Sequence, residues 1–148
     1  MLEIRKGDIF QSGCEAICNA VNCIGVMGAG LAAAFRVKYP KMFLEYKEVC
    51  NRGELSPGKL HAWTNPNGEP IVINFPTKTD LRDSEYIYID QGLVALNEYI
   101  KVSGIKSVAI PALGCGLGGL EWATVLKKIQ DFHDQNWVDM IVAVYEPH

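Results

Sequence analysis

No stretch of this sequence is long and apolar enough to cross a bilayer, and its start, Met1–Phe10, lacks the basic-then-apolar order of an export signal. The expectation is a cytoplasmic protein with no membrane partner. The five cysteines, Cys14, Cys18, Cys23, Cys50 and Cys115, are odd in number and form no Cys-x-x-Cys pair. That excludes a disulfide framework and a zinc ribbon. His61, His133 and His148 stand at no metal-ligand spacing, so neither a metal nor a cofactor is expected. Positive charge is not in excess either. Lysine and arginine total 14 against 17 acids, for a net charge of −3. A broad non-specific nucleic-acid surface is excluded, whereas a local basic groove or recognition of one modified nucleotide is not.

Linkers, repeats and low-complexity tracts are also missing. With 148 residues, 49% of them hydrophobic, the chain reads as one domain spanning 1–148 with a substantial core. No apolar stripe is left over for a partner, so a monomer is expected. Apolar periodicity switches repeatedly between two and 3.6 residues. Leu2–Arg5, Ala16–Val21, Leu60–Trp63, Ile71–Phe75, Ser107–Ile110 and Ile141–Tyr145 read as strands. Helices are expected from Gly28 to Tyr39, from Pro40 to a stop at Gly53, through Ile89, Leu93, Leu96 and Ile100 to Gly104, and through Trp122, Val125, Ile129 and Phe132. Asn65–Gly68 is a turn signal. Strands alternating with helices predict a three-layer α/β/α fold with a mixed, mostly parallel central sheet. Ligands of such sheets bind beyond the carboxyl ends of the strands, which directs attention to the loops there.

Two of those loops are rich in glycine. The first runs from Asn22 through Gly25, Val26, Met27, Gly28 and Ala29 to Gly30, straight into a helix. Glycine permits close backbone approach, and a helix start offers free N–H groups, a combination suited to a diphosphate. A plain tight turn would look the same. The second loop, Gly114, Cys115, Gly116, Leu117, Gly118 and Gly119, also follows a buried strand and precedes a helix. Two such loops suggest a clamp on one pyrophosphate. Lys78 follows Thr77 just past an apolar strand. It is an ordinary surface lysine, a cation for phosphate, or an amine that attacks the anomeric carbon of a ribose. Asp8 either caps a turn or accepts a hydrogen bond from an exocyclic amine such as adenine's. Asn19 and Asn22 either hold their turn or bond ribose hydroxyls. Tyr145 either joins the core or stacks on a base. Cys115 reads as a small residue fitted to a tight loop rather than a nucleophile. An acid such as Glu121 at the start of the last helix suits the helix dipole.

Four segments in order, Gly7–Ile9, Asn19–Gly28, Ile73–Lys78 and Ile110–Trp122, make the chain resemble the macrodomain superfamily. Within it, the chain is most similar to the DarG-like branch of antitoxin macrodomains, which remove ADP-ribose from thymidine in DNA. The resemblance implies ADP-ribose lying across the carboxyl edge of the sheet. It implies Asp8 and Ile9 at the adenine, both glycine loops on the diphosphate, Asn22 facing the distal ribose, and Lys78 as the catalytic lysine shared with the terminal ADP-ribose protein glycohydrolase. The human-type enzyme has aspartate where this chain has Gly118, whereas the DarG-like pattern has glycine. A lysine is common where Ala29 stands. In place of a basic, aromatic stretch after Lys78 come Thr79, Asp80, Leu81, Arg82 and Asp83. The second domain of a full antitoxin is expected to be missing. The expected function is ADP-ribose-binding hydrolysis of a modified base or protein side chain. An ADP-ribose 1″-phosphate phosphatase and a non-catalytic ADP-ribose reader are the alternatives.

Overall fold

The computed structural model describes all 148 residues, Met1–His148. The elements in order are β1 (Leu2–Arg5), β2 (Ala16–Val21), α1 (Gly30–Lys38), α2 (Pro40–Asn51), β3 (His61–Thr64), β4 (Ile71–Pro76), α3 (Tyr86–Ser103), β5 (Ser107–Ile110), α4 (Trp122–Asn136) and β6 (Ile141–Tyr145). The strands form one sheet in the order β1-β6-β5-β2-β4-β3. All neighbours run parallel except β3, which pairs antiparallel with β4 at the edge. The expected three-layer mixed sheet is the observed fold.

Side chains along each strand alternate between two cores. Ala16 and Cys18 of β2 face one core with Ile73 and Phe75 of β4, Leu93 and Leu96 of α3, and Val125 and Ile129 of α4. Ile17 and Val21 face the other with Val72, Phe35 of α1, and Met42 and Tyr46 of α2. Because both faces are covered, the central strands are short and almost wholly apolar. Helix ends follow the sequence signals. Pro40 occupies the first turn of α2, and Gly104 closes α3 at φ +72°. The turn at Asn65 closes with Gly68 N–H donating to Asn65 O at 3.0 Å.

Some boundaries differ from the sequence reading. The helix expected from Gly28 begins at Gly30, because Ala29 before it is still extended, at φ −149° and ψ 162°. β3 begins at His61 rather than Leu60. A single 3-10 turn at Ile9–Gln11 had no periodic signal.

Gly92 is where packing bears most directly on the site. A Cβ there would lie 2.1 Å from Phe75 Cζ, and Phe75 stands three residues before Lys78. Alanine at this helical position would gain about 1 kcal/mol in helix propensity. Overpacking the ring costs about 1–3 kcal/mol or more. At 2.1 Å the upper end of that cost applies, so Gly92→Ala is expected to lower stability by about 2 kcal/mol or more, read as a lower midpoint in urea unfolding.

Candidate functional site

At the carboxyl edge of the sheet the chain leaves β2 toward α1 and leaves the adjacent β4 and β5 toward α3 and α4. The helices of these two groups cover opposite faces. Neighbouring strands whose connections diverge to opposite faces leave a crevice between them, the usual ligand position in such folds. From β1 to β4 the edge spans roughly 19 Å, at about 4.8 Å per strand.

The first glycine loop is braced from within. Asn22 Oδ1 accepts from Ile24 N at 3.1 Å and Val26 N at 3.4 Å, and its Nδ2 donates to Val26 O at 2.8 Å. The Tyr46 hydroxyl lies 2.8 Å from both Asn22 O and Asn22 Oδ1. Burial pushes that phenol's pKa up, so it stays a donor. Met27 is buried below the loop. Gly25, at φ +82°, passes so close to α2 that a Cβ would meet Lys47 Cγ at 3.3 Å. Ala29 caps α1 without a side-chain hydrogen bond. The backbone N–H groups of Gly28, Ala29 and Gly30 therefore have no acceptor in the chain and face solvent.

The second loop offers a matching set. Cys115 N bonds Ala112 O, Gly119 N bonds Gly116 O and Leu120 N bonds Gly114 O. The N–H groups of Gly116, Leu117 and Gly118 between them donate to nothing. Consecutive free amides make an anion-binding concavity. The Cys115 thiol lies 3.4 Å from Leu113 O, and burial pushes its pKa up to about 11. It is protonated at neutral pH and is no nucleophile. Iodoacetamide at pH 7.5 should alkylate it about 100-fold more slowly than a thiol of pKa 9, with the rate climbing only as pH approaches 11. Peptide mass spectrometry would read this directly.

Lys78 lies on a strap between these loops. At its start, Thr77 N donates to Val21 O at 2.9 Å, Cys23 N donates to Thr79 O at 3.1 Å, and Cys23 Sγ lies 3.3 Å from Lys78 O. At its far end, Ser84 N donates to Gly118 O at 3.0 Å. The strap thus starts at β4, is bonded to the first loop and reaches the second. Lys78 is half-buried and its Nζ has no hydrogen bond or ion pair. Arg82 is spent on Asp80, with Nε and Nη2 at 2.9 and 2.8 Å from Oδ2, and that contact holds the Asp80 carboxyl below the usual range.

The other expected site residues fall into different places. The exposed Asp8 accepts from Phe10 N at 2.9 Å and caps the 3-10 turn, while Ile9 is buried beside it. Tyr145, expected as a stacking surface, is 6% exposed and lies in the core, its hydroxyl 3.5 Å from Arg5 Nη1. The last position of a covered parallel strand leaves its ring no open face. Asn19, expected at a ribose, is fully buried below the first loop. Its Nδ2 lies 3.2 Å from Asn74 Oδ1, Asn74 Nδ2 lies 2.9 Å from His61 Nδ1, and His61 Nε2 lies 2.7 Å from Glu45 Oε2. This polar row follows from cross-strand register, which aligns Asn19 with Asn74 and Asn74 with His61. Asn22 is chiefly a brace, with one Nδ2 hydrogen left for a ligand. The sequence reading missed Ser84, Tyr46, Asn74 and His61. Their partners lie between 13 and 55 residues away, and only a buried polar residue inside an apolar strand, as at Asn74, hinted at one of them.

A family model described as Macro domain matches residues 18–129. A Mycobacterium tuberculosis protein named DNA ADP-ribosyl glycohydrolase is 40% identical over 99% of this chain and 42% of its own length. A Thermus aquaticus protein of the same name is 35% identical over 99% of this chain and 41% of its own length. The chain thus spans about two-fifths of the length of these relatives. Among solved structures, the macrodomain of Mycobacterium tuberculosis DarG superposes with a TM-score of 0.96 at 39% identity, covering 100% of this chain and 99% of that one.

Proposed function

The chain belongs to the Macro domain family, and from that premise we propose that it binds ADP-ribose along the carboxyl edge and hydrolyses the bond joining ADP-ribose to a base of DNA. The observation that carries this reading is the pairing of two sets of free amides with one unpartnered amine. Gly28–Gly30 and Gly116–Gly118 present N–H groups on either side of the crevice, and the strap bonded to both loops carries Lys78. A diphosphate seated on both sets leaves the distal ribose beside β4. Asp8, beyond β1, is at the other end of the edge, where the adenine lies.

With the diphosphate fixed, orientation supplies much of the rate. The Lys78 amine attacks the anomeric carbon of the distal ribose. Its lone pair forms the C–N bond as the bond to the base breaks, and the base leaves with the electron pair and takes up the proton that the alkylated nitrogen releases. Water then cleaves the lysine–ribose bond and regenerates the amine. DNA is favoured because the 40% and 35% identical relatives carry that substrate in their names. The crevice would read one modified nucleotide rather than grip a backbone, in keeping with the net charge of −3. One observation favours an ADP-ribosylated protein instead. The strap carries Asp80 and Asp83, followed by Glu85, and its only arginine is engaged with Asp80.

The test offers the protein ADP-ribosylated single-stranded DNA, ADP-ribosylated protein and ADP-ribose 1″-phosphate in parallel, with chromatography of the released product. Release of free ADP-ribose from the DNA is expected. Turnover of the phosphate alone would make the protein a phosphatase. Binding without turnover of any of the three would make it a reader.

A further inference from the structure

Ser84 is buried, and its hydroxyl has no hydrogen-bond partner. A buried hydroxyl left unpaired is costly, and alanine would fill nearly the same space without that cost. The hydroxyl sits against the second glycine loop. A Cβ on Gly118 would lie 2.3 Å from Ser84 Oγ and 2.5 Å from Gly114 O. The serine hydroxyl and the Gly114 carbonyl therefore both crowd the position that a side chain at 118 would need, and glycine there makes room for them. A Cβ on Gly114 would in turn meet Ser84 Cβ at 3.1 Å. Gly118 is thus fitted to this side chain, and Gly114, at φ +72° and nearest to Leu120 Cδ1 at 2.8 Å, also borders it. Ser84 also donates its backbone N–H to Gly118 O at 3.0 Å. It ends the strap on which Lys78 stands, six residues earlier.

We propose that Ser84 is a positioning residue that couples the second glycine loop to Lys78, so that a diphosphate seated in that loop fixes where the amine stands. This rests on the reading of Lys78 given above. In the free protein the hydroxyl waits without a partner. A small closure of the loop around an anion brings Ser84 Oγ–H to the Gly114 carbonyl, which accepts only from Leu120 N, at 2.9 Å, and keeps a lone pair free. The strap is tied to the end of β2 at Thr77, through Val21 O, and to the first loop at Thr79, through Cys23 N. Drawing in its Ser84 end therefore pulls on the tie at Thr79, immediately beside Lys78, and so sets where the amine stands.

The experiment compares wild type, Ser84→Ala, Ser84→Cys and Lys78→Ala in single-turnover release of ADP-ribose, in calorimetric binding of ADP-ribose and in thermal unfolding. Ser84→Ala is expected to lower the chemical rate at saturating substrate by about 10-fold or more, to weaken ADP-ribose by no more than about threefold, and to unfold within a few degrees of wild type. Ser84→Cys, which keeps a weak donor of similar shape, is expected to recover part of the rate. Three results would overturn the proposal: a wild-type rate in Ser84→Ala, a rate loss matched by equal losses of affinity and melting temperature, or no difference between Ala and Cys. An active wild type with an inactive Lys78→Ala and an unimpaired Ser84→Ala rejects only the coupling. A wild type without turnover rejects the hydrolase reading as well.

Discussion

Lys78→Ala should lower the turnover of ADP-ribosylated substrate by at least about 10³-fold, equivalent to about 4 kcal/mol of transition-state stabilisation, while ADP-ribose affinity stays within about threefold. The affinity should be spared because, on the proposed reading, backbone amides hold the diphosphate, and the substitution does not touch them. The fold is spared because Lys78 Nζ pairs with nothing in the chain, so its removal strands no buried group. What the backbone of Lys78 does persists, since its carbonyl still faces Cys23 Sγ. Lys78→Arg separates two roles for the amine. A guanidinium keeps the positive charge but offers no lone pair at neutral pH. It should therefore be as inactive as alanine if the nitrogen attacks the sugar, and partly active if the charge alone matters. Single-turnover assays beside a calorimetric titration give both halves of the result.

Gly118→Ala should weaken ADP-ribose by at least about 30-fold, or roughly 2 kcal/mol. The added Cβ would sit 2.3 Å from Ser84 Oγ and 2.5 Å from the Gly114 carbonyl oxygen. The second neighbour is backbone, so no side-chain rotation relieves it, and the loop must shift. The free amides of Gly116, Leu117 and Gly118 then lose their common aim. Gly116→Ala is the comparison. Nothing lies within 4 Å of a Cβ there, so it should melt with the wild type. Any affinity it loses reports a ligand resting against the loop rather than a deformed loop. Melting curves and titrations of the two variants together distinguish the cases.

Much of the scaffold could be read from residue order alone. β1, β2, β5 and β6 begin and end where their apolar runs do, because strands covered on both faces admit few polar residues. Gly104, Pro40 and the Asn65–Gly68 turn are local signals with local causes. The two glycine loops and Lys78 were also visible, since each follows an apolar strand. What holds them was not. Asn22 braces its loop with help from Tyr46, 24 residues on. Ser84 fits a space that Gly118 vacates from another strand's loop. Asn19 pairs across the sheet with Asn74, which turns an expected ribose contact into a buried one. Tyr145 looked like a free aromatic at a strand end and is core, because the neighbouring Arg5 and the 3-10 turn at Ile9 cover that end. Local chemistry announces which residues can bind. Which of them are free to do so depends on contacts between segments that no local pattern records.

The most direct test is calorimetric titration of the wild-type protein with ADP-ribose. Two facing sets of unpaired amides on a preformed edge predict one site of micromolar affinity or better, about 8 kcal/mol, with AMP, which lacks the diphosphate, bound much more weakly. No saturable heat with ADP-ribose, or equal affinity for AMP, would contradict the site described here.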